Sequence, residues 1–300
     1  MKLDNIDITQ LLEKYKNNKI VILGHDYADV DSIVSGVMLE HILKTDGFDV
    51  TFSILDKRIS VESKELLAHY DFDPSDYIKE VKGDYYILVD HHERELDKDI
   101  ILVVDHHPTS KMINSELVFN KEISSTALYL LMNNKEYFNK QSRELVFLAT
   151  MLDTASFHST KGREIDKEYI INDCNEFNID YEKLVKEGIY LTNLDDLNKI
   201  SLNGLKKYEY NGNKVESSYI QIDDNKDNQI IVNKIIDILK EYLISHNLSM
   251  FVFIVHEMIN FKTRVYKITR NSVDTIYYDT YTSRGSTIMP SIQKEYDKTI

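Results

Sequence analysis

Residues 19–33 have the sequence KIVILGHDYADVDSI, in which a continuous apolar run leads directly into a polar loop. Residues 19–24 predict a short strand that is buried on both faces, as in the centre of a parallel sheet. The helical spacing of residues 32–43 predicts a helix after the loop, with Ser32 as its N-cap. This order of strand, polar loop and helix is typical of an α/β sheet that binds ligands at the carboxyl ends of its strands.

The same alternation of strand and helix continues through the first two thirds of the chain. Further strands are predicted at residues 50–55, 85–89 and 101–104, and helices at 125–132, 142–152, 166–174 and 181–190. Strands that alternate with helices indicate an α/β fold, here a mostly parallel sheet flanked by helices.

The pattern changes after about residue 191. Residues 205–210 and 214–222 predict a hairpin whose turn is Asn211-Gly212, a strong two-residue turn pair. Strands at 250–256, 261–269 and 272–278 and helices at 232–245 and 291–296 complete a smaller α+β domain. We therefore predict a first domain over residues 1–187, a linker over 188–200 and a second domain over 201–300.

Composition limits the partners and the compartment. The 36 basic and 50 acidic residues give a net charge of −14. This charge opposes the binding of nucleic acid, except for short oligonucleotides. It also opposes the binding of other anions, unless metal ions reverse the local charge. The single cysteine excludes an internal disulfide and a thiolate zinc cluster. The polar N-terminus and the lack of an apolar run of ~20 residues argue against a signal peptide and a membrane span. We expect a cytoplasmic protein.

Side chains with metal-binding atoms follow four of the apolar runs. They are His25, Asp29 and Asp31 after residues 19–24, Asp90 after YYILV (85–89), Asp105, His106 and His107 after ILVV (101–104), and Asp153 after LATML (148–152). A single Asp or His in such a place is usually a cap or a surface residue. Four consecutive runs that end in this way instead predict a metal site. Carboxylates together with imidazoles suit Mn²⁺, Co²⁺ or Mg²⁺, and the histidines favour a transition metal.

These segments resemble the motifs of the DHH phosphoesterase superfamily, which is named after the Asp-His-His triplet. GHDYADVDSI (24–33), LVDHHE (88–93), VVDHHP (103–108) and MLDTASF (151–157) are similar, in this order, to the four motifs of family II, manganese-dependent, inorganic pyrophosphatases and of exopolyphosphatase-like proteins. The C-terminal TSRGSTIMPSIQKEY (282–296) resembles the family's substrate-clamping segment.

The resemblance implies two divalent metal ions, Mn²⁺ first and Co²⁺ or Mg²⁺ as alternatives. His25 and Asp29 would bind one ion, Asp31, His106 and Asp153 the other, and Asp90 would bridge them. It also implies an active site between the two domains, with the first domain catalytic and the second binding substrate, and a homodimer formed through the first domain.

The resemblance assigns three residues to the substrate. His107 would lie beside it as a proton donor or phosphate ligand, and Lys206 in LKKYEY and Arg284 in the clamp would bind its phosphates. His158 and Lys161 follow Asp153 closely, and we assign them no role.

Two departures from the pyrophosphatase pattern concern the substrate. Gly285 stands where the clamp has a second cation, and His92 stands where pyrophosphatases have asparagine. The expected activity is hydrolysis of phosphoanhydride bonds in inorganic pyrophosphate or short polyphosphate. The alternatives are a phosphodiesterase on short oligonucleotides or cyclic dinucleotides, and a metal- or nucleotide-binding module without catalytic activity.

Overall fold

The computed structural model describes residues 7–55, 59–92, 94, 96–108, 114–223, 225 and 227–298. These residues form two compact units. The first unit comprises the described residues up to Phe157 together with Lys161–Gly188, and the second comprises His158–Thr160 and the described residues from Ile189 onward. No helix among them is long and apolar enough to cross a bilayer.

The first unit alternates strands and helices. In chain order its elements are α1 (Ile8–Leu12), β1 (Ile20–Leu23), α2 (Val30–Thr45), β2 (Val50–Ser53), α3 (Val61–Ala68), β3 (Tyr85–Val89), β4 (Ile100–Asp105), β5 (Leu117–Asn120), α4 (Thr126–Asn133), α5 (Lys140–Thr154), α6 (Glu164–Phe177) and α7 (Tyr181–Glu187). The five strands pair in the order β2-β1-β3-β4-β5, and every pair is parallel. The predicted parallel sheet flanked by helices is confirmed.

The strand order predicts a ligand crevice between β1 and β3. The chain moves from β1 outward to β2, then returns to the other side of β1 with β3, so the direction of winding reverses between these neighbours. At such a switch point the loops after the two strands diverge and leave a crevice at their carboxyl ends. All four residues of β1 are buried, as its unbroken apolar run predicts.

Helix α2 packs closely on β2 because Gly36 has no side chain. A Cβ atom at position 36 would overlap the ring of Phe52, which is fully buried in β2. This close approach fixes the helix whose N-terminal end supplies Asp29 and Asp31.

We expect Gly36→Ala to lower the free energy of unfolding by about 1–3 kcal/mol, because the overlap with Phe52 outweighs the better helix propensity of alanine. Urea denaturation followed by circular dichroism measures the loss. Gly285→Ala is the matched control, since a Cβ atom there meets nothing within 4 Å, and it should not lower the stability. Equal stability of the two variants would contradict the role of this contact.

The second unit is a mixed sheet with helices. Its elements are α8 (Leu197–Ile200), β6 (Lys206–Tyr210), β7 (Asn213–Ile222), α9 (Asn228–Ser245), β8 (Met250–Glu257), β9 (Lys262–Ile268), β10 (Val273–Tyr278) and α10 (Met289–Asp297). The order is β10-β9-β8-β7-β6; β7 and β8 are parallel, and the other neighbours are antiparallel. Apolar side chains of α9 cover one face, and those of α10 cover the other. The predicted smaller α+β region is confirmed.

The predicted hairpin is confirmed in its turn as well as in its strands. Asn211 and Gly212 have φ angles of 51° and 77°, the left-handed pair that a tight two-residue turn requires. We predicted a linker over residues 188–200. Gly188 ends the first unit, whereas residues 189–200 lie within the second unit and contain α8.

The structure differs from the prediction at the N-cap of α2, and it contains elements that were not predicted, among them α1, α3 and β5. The N-cap of α2 is Asp29 rather than Ser32, because the Asp29 carboxylate accepts the Ser32 N–H at 3.0 Å and the helix already begins at Val30. Strand β5 was missed because it is a four-residue edge strand without a buried face. Helix α3 was missed because its charged residues obscure the apolar spacing.

Candidate metal centre

The polar residues of the four motifs lie together at one end of the first sheet. The loops after β1, β3 and β4 supply His25, Asp90 and His106, the N-terminal end of α2 supplies Asp29 and Asp31, and the last turn of α5 supplies Asp153. Their nitrogen and oxygen atoms form two groups, each with all ligand atoms within 4.8 Å of one another, and Asp90 and His106 form a third such group with His107. We call His25, Asp29 and Asp90 the first ligand group, and Asp31, His106 and Asp153 the second.

In the first ligand group, one imidazole faces two carboxylates. His25 Nε2 lies 3.2 Å from Asp29 Oδ2 and 3.5 Å from Asp90 Oδ2. The Nδ1 of His25 lies 2.8 Å from the carbonyl oxygen of Asp26, which can only accept, so Nδ1 carries the proton. The lone pair of His25 is therefore on Nε2, the atom that faces the carboxylates.

The second ligand group repeats this arrangement. His106 Nε2 lies 3.3 Å from Asp153 Oδ2 and 3.8 Å from Asp31 Oδ2. His106 Nδ1 donates to the carbonyl oxygen of Ile123 at 3.0 Å, so Nε2 is the ring nitrogen that faces the acidic neighbours.

Asp90 belongs to both environments. Its Oδ2 faces His25 at 3.5 Å, and its Oδ1 lies 3.4 Å from His106 Nε2. The residue is 1% exposed and has φ +59°, a left-handed backbone that aspartate adopts more readily than most residues. The backbone turn directly after β3 thus aims one carboxylate at both groups.

The N-terminus of α4 holds two of the carboxylates. The backbone N–H groups of Thr126 and Ala127 donate to the two oxygens of Asp31 at 2.8 and 2.9 Å. The Thr126 hydroxyl donates to Asp90 Oδ1 at 3.1 Å. Ser125 caps this helix through the N–H of Leu128, so the end of α4 is fixed while it orients both acids.

The pKa values reflect the crowding of charge. Burial and the neighbouring Asp90 raise the pKa of Asp31 well above its usual range. Burial opposes ionisation of Asp90, but His106 and His25 outweigh it and hold its pKa well below the usual range. Burial likewise lowers the pKa of His106, yet Asp90 and Asp153 raise it to about 9.

The donor geometry fits divalent metal ions. Two ligand atoms that each lie about 2.1 Å from one ion are about 3.0–3.4 Å apart, which matches the closest nitrogen–oxygen distances of 3.2 and 3.3 Å in the two groups. Within the described part of the chain, His106 Nε2 and Asp153 Oδ2 are buried without a hydrogen-bond partner. Such atoms are costly to bury unless a ligand satisfies them. Four carboxylates beside two imidazoles suit Mn²⁺ or a similar ion.

Lys161 lies in the site, although we assigned it no role from the sequence. Its Nζ is 2.6 Å from Asp153 Oδ1, and its side chain is 18% exposed. The ammonium thus binds one oxygen of Asp153, Oδ1, while the other oxygen, Oδ2, faces His106. The sequence offered no sign of this contact beyond the short distance from Asp153.

The remaining predicted residues lie outside the two groups. His107 Nδ1 is 3.7 Å from Asp90 Oδ1, and its side chain is 23% exposed, against 3% for His106. Lys206 and Arg284 are in the second unit, where Lys206 begins β6 and Arg284 lies over the ring of Tyr219, 5.3 Å from its centre. Their contact with a substrate stays a prediction.

The chain is similar over most of its length to known proteins. A curated manganese-dependent inorganic pyrophosphatase of Methanocaldococcus jannaschii is 21% identical, over 92% of this chain and 99% of its own. A crystal structure assigned to a family II inorganic pyrophosphatase of Methanococcus jannaschii has a TM-score of 0.74 at 20% identity, covering 93% of this chain and 99% of the other. An exopolyphosphatase-related protein of Bacteroides fragilis has a TM-score of 0.50 at 16% identity, covering 97% and 96%. At these identities the structural likeness shows the fold alone.

A match to a known family covers the region that contains every residue of the two ligand groups. Residues 19–155 match the DHH family, N-terminal domain. The resemblance seen in the motifs is thus confirmed over residues 19–155, a little under half of the chain.

Proposed function

We propose that this protein is a two-metal hydrolase of phosphoanhydride bonds, acting on inorganic pyrophosphate or short polyphosphate, with Mn²⁺ as its metal. The observation that carries the proposal is the position of Asp90, whose two carboxylate oxygens face the imidazoles of two separate ligand groups at 3.4 and 3.5 Å. A shared carboxylate between two histidine–aspartate groups suits a pair of ions. In a site that holds a single metal ion, a carboxylate would not need to face two histidine–aspartate groups.

The residues of each group would hold one ion. His25, Asp29 and Asp90 would bind the first, and Asp31, His106 and Asp153, with Asp90 shared, the second. When bound, two divalent ions supply positive charge for the phosphoryl oxygens and lower the pKa of a water nucleophile towards neutrality. This local positive charge would allow a chain of net charge −14 to bind a polyanion.

His107 would act on the leaving phosphate. Its Nδ1 lies 2.9 Å from Asp105 Oδ1, so Nε2 is the ring nitrogen that remains to meet a ligand. A protonated Nε2 could donate its proton to the leaving oxygen. Lys206 and Arg284 would add cationic contacts to the phosphates, as the resemblance implies.

One observation favours the phosphodiesterase alternative. Gly285 replaces the second cation of the clamp, and the space where its side chain would begin is open to 4 Å. One fewer charge and more room suit a substrate that is larger and less densely charged than pyrophosphate. The two activities differ in the bond cleaved, so one panel of substrates separates them.

The test is phosphate release from pyrophosphate and tripolyphosphate, and mononucleotide release from a linear and a cyclic dinucleotide, each with Mn²⁺ and with Mg²⁺. We expect turnover of pyrophosphate or tripolyphosphate, faster with Mn²⁺. Turnover of the dinucleotides alone would replace the proposal with the phosphodiesterase alternative. No turnover of any of them by protein with two bound Mn²⁺ ions would indicate a binding module.

Mn²⁺ is also expected to stabilise the protein. An ion that binds only the folded chain adds about 2.7 kcal/mol at a hundred times its Kd, which raises the melting temperature by several degrees. Differential scanning calorimetry with and without Mn²⁺ measures the shift. Asp31→Asn should reduce it, whereas Asp26→Asn, an exposed residue outside both ligand groups, should not. An equal shift in all three proteins would contradict the assigned ligands.

A further inference from the structure

Asp105, the last residue of β4, accepts four hydrogen bonds although it belongs to neither ligand group. Its Oδ1 accepts the backbone N–H of His106 at 2.8 Å, the backbone N–H of His107 at 3.1 Å and the Nδ1–H of His107 at 2.9 Å. Its Oδ2 accepts the Nδ1–H of His92. The residue is 2% exposed. Oδ1 thus accepts three of the four hydrogen bonds, and Oδ2 accepts the one from His92.

The two backbone bonds have an ordinary explanation. An aspartate at the end of a strand commonly accepts the N–H groups of the next two residues and so shapes the turn. That explanation does not extend to the two imidazoles. His107 belongs to the same turn as Asp105. His92 belongs to the loop after the neighbouring strand β3, and its ring contacts Asp105 Oδ2 from there.

The hydrogen bond to Asp105 decides which ring nitrogen of His107 can meet a ligand. With Nδ1 engaged, only Nε2 remains, and the ring cannot flip without breaking that bond. The backbone is held too, because Asn120 Nδ2 donates to the His107 carbonyl oxygen at 2.8 Å. His107 is thus fixed on both sides while its side chain stays partly exposed.

We infer that Asp105 is a positioning residue that holds His107 with its Nε2 towards the substrate, and that His92 holds Asp105 in turn. This inference rests on the proposed function, in which His107 acts on the leaving phosphate. It gives His92, one of the two departures from the pyrophosphatase pattern, a defined place in the site. Any side chain at position 92 that donates to Asp105 Oδ2 should serve.

The first test compares Asp105→Asn with His107→Gln and the double variant. Asparagine has one acceptor oxygen and no charge, so it cannot hold the rings of His107 and His92 at the same time as the carboxylate does. We expect kcat to fall by about 10–100-fold, with KM and the number of bound Mn²⁺ ions unchanged. If Asp105 acts through His107, its replacement should cost no more than about twofold in the His107→Gln protein. Fully additive losses would overturn the inference.

The second test uses a matched pair at position 92 and leaves Asp105 intact. His92→Asn places an amide N–H close to the position of Nδ1, whereas His92→Leu has similar bulk and no donor. We expect His92→Asn to keep kcat within about threefold and His92→Leu to lose about tenfold or more. Equal losses in the two variants would overturn the role of His92.

The third test does not depend on turnover. Nitrogen-15 NMR of the Mg²⁺-bound protein reports which ring nitrogen of each histidine carries a proton. We expect Nδ1–H for His92 and His107 in the wild type, and loss of the His92 signal for a hydrogen-bonded Nδ1–H in Asp105→Asn. Nε2–H alone on His107 in the wild type would overturn the inference even if pyrophosphate is hydrolysed. The expected tautomers without hydrolysis would contradict only the proposed function.

Discussion

Asp90→Asn is expected to reduce phosphate release by about a thousandfold or more while the fold stays intact. The carboxylate of Asp90 is common to the two ligand groups, with one oxygen 3.4 Å from His106 Nε2 and the other 3.5 Å from His25 Nε2. Asparagine replaces one of these oxygens by an NH₂ group, which is no ligand, and removes the charge. Asparagine also tolerates the left-handed backbone at this position, φ +59°, so the turn after β3 should survive.

Steady-state kinetics, Mn²⁺ content by atomic absorption and far-ultraviolet circular dichroism together test this result. Asp26→Asn is the matched control, because Asp26 carries a carboxylate in the loop of the first ligand group, is largely exposed and belongs to neither group. It should keep activity within about threefold, as expected for a surface charge. Near-normal turnover of Asp90→Asn with two bound Mn²⁺ ions would rule out Asp90 as the shared ligand.

Arg143→Met is expected to lower the free energy of unfolding by about 3–5 kcal/mol. Arg143 of α5 and Asp173 of α6 are 4% and 5% exposed, and Arg143 Nη1 lies 2.6 Å from Asp173 Oδ2. The guanidinium also donates to the carbonyl oxygens of Phe138 at 3.1 Å and Lys135 at 3.0 Å. Methionine fills most of the space but leaves the Asp173 charge and two carbonyls without their donor.

Urea denaturation measures this loss, with Lys240→Met as the control. Lys240 and Asp237 form an exposed pair at 3.2 Å, so its removal should cost less than about 1 kcal/mol. A loss below about 1 kcal/mol for Arg143→Met would show that the buried pair does not stabilise the fold. Arg143 lies near the start of α5, and Asp153 lies in its last turn. The variant should therefore still bind Mn²⁺ under conditions in which it remains folded.

The sequence was sufficient for the elements of the fold. An unbroken apolar run such as residues 20–23 can be satisfied only by burial on both faces, and a turn such as Asn211-Gly212 needs left-handed residues that few pairs supply. Both features are local, and both are confirmed. The short edge strand β5 has no such pattern, since its residues are only partly buried.

The sequence also indicated which side chains belong near the site. Parallel strands end at one edge of the sheet, so polar residues directly after β1, β3 and β4 must lie near each other whatever the details of packing. In the structure all six predicted ligands lie in the two ligand groups. Their role as metal ligands stays a prediction until ions are measured.

The supporting contacts could not be predicted in this way. Asp31 is held by Thr126 and Ala127, more than ninety residues away along the chain, and Asp153 is engaged by Lys161 through a turn that has no distinctive sequence. The convergence of His92 and His107 on Asp105 depends on β3 and β4 being neighbours in the sheet.

The sequence by itself thus determined the fold class, the strand ends and the identity of the candidate ligands, because these follow from local periodicity and from the common direction of parallel strands. Only the tertiary structure decided how each ligand is oriented: which imidazole nitrogen faces the carboxylates, and which donor holds each acid. The physical reason is that a hydrogen bond requires atoms to be placed within a few tenths of an ångström. That placement is fixed by strand order and helix packing, which bring together residues that no local pattern connects.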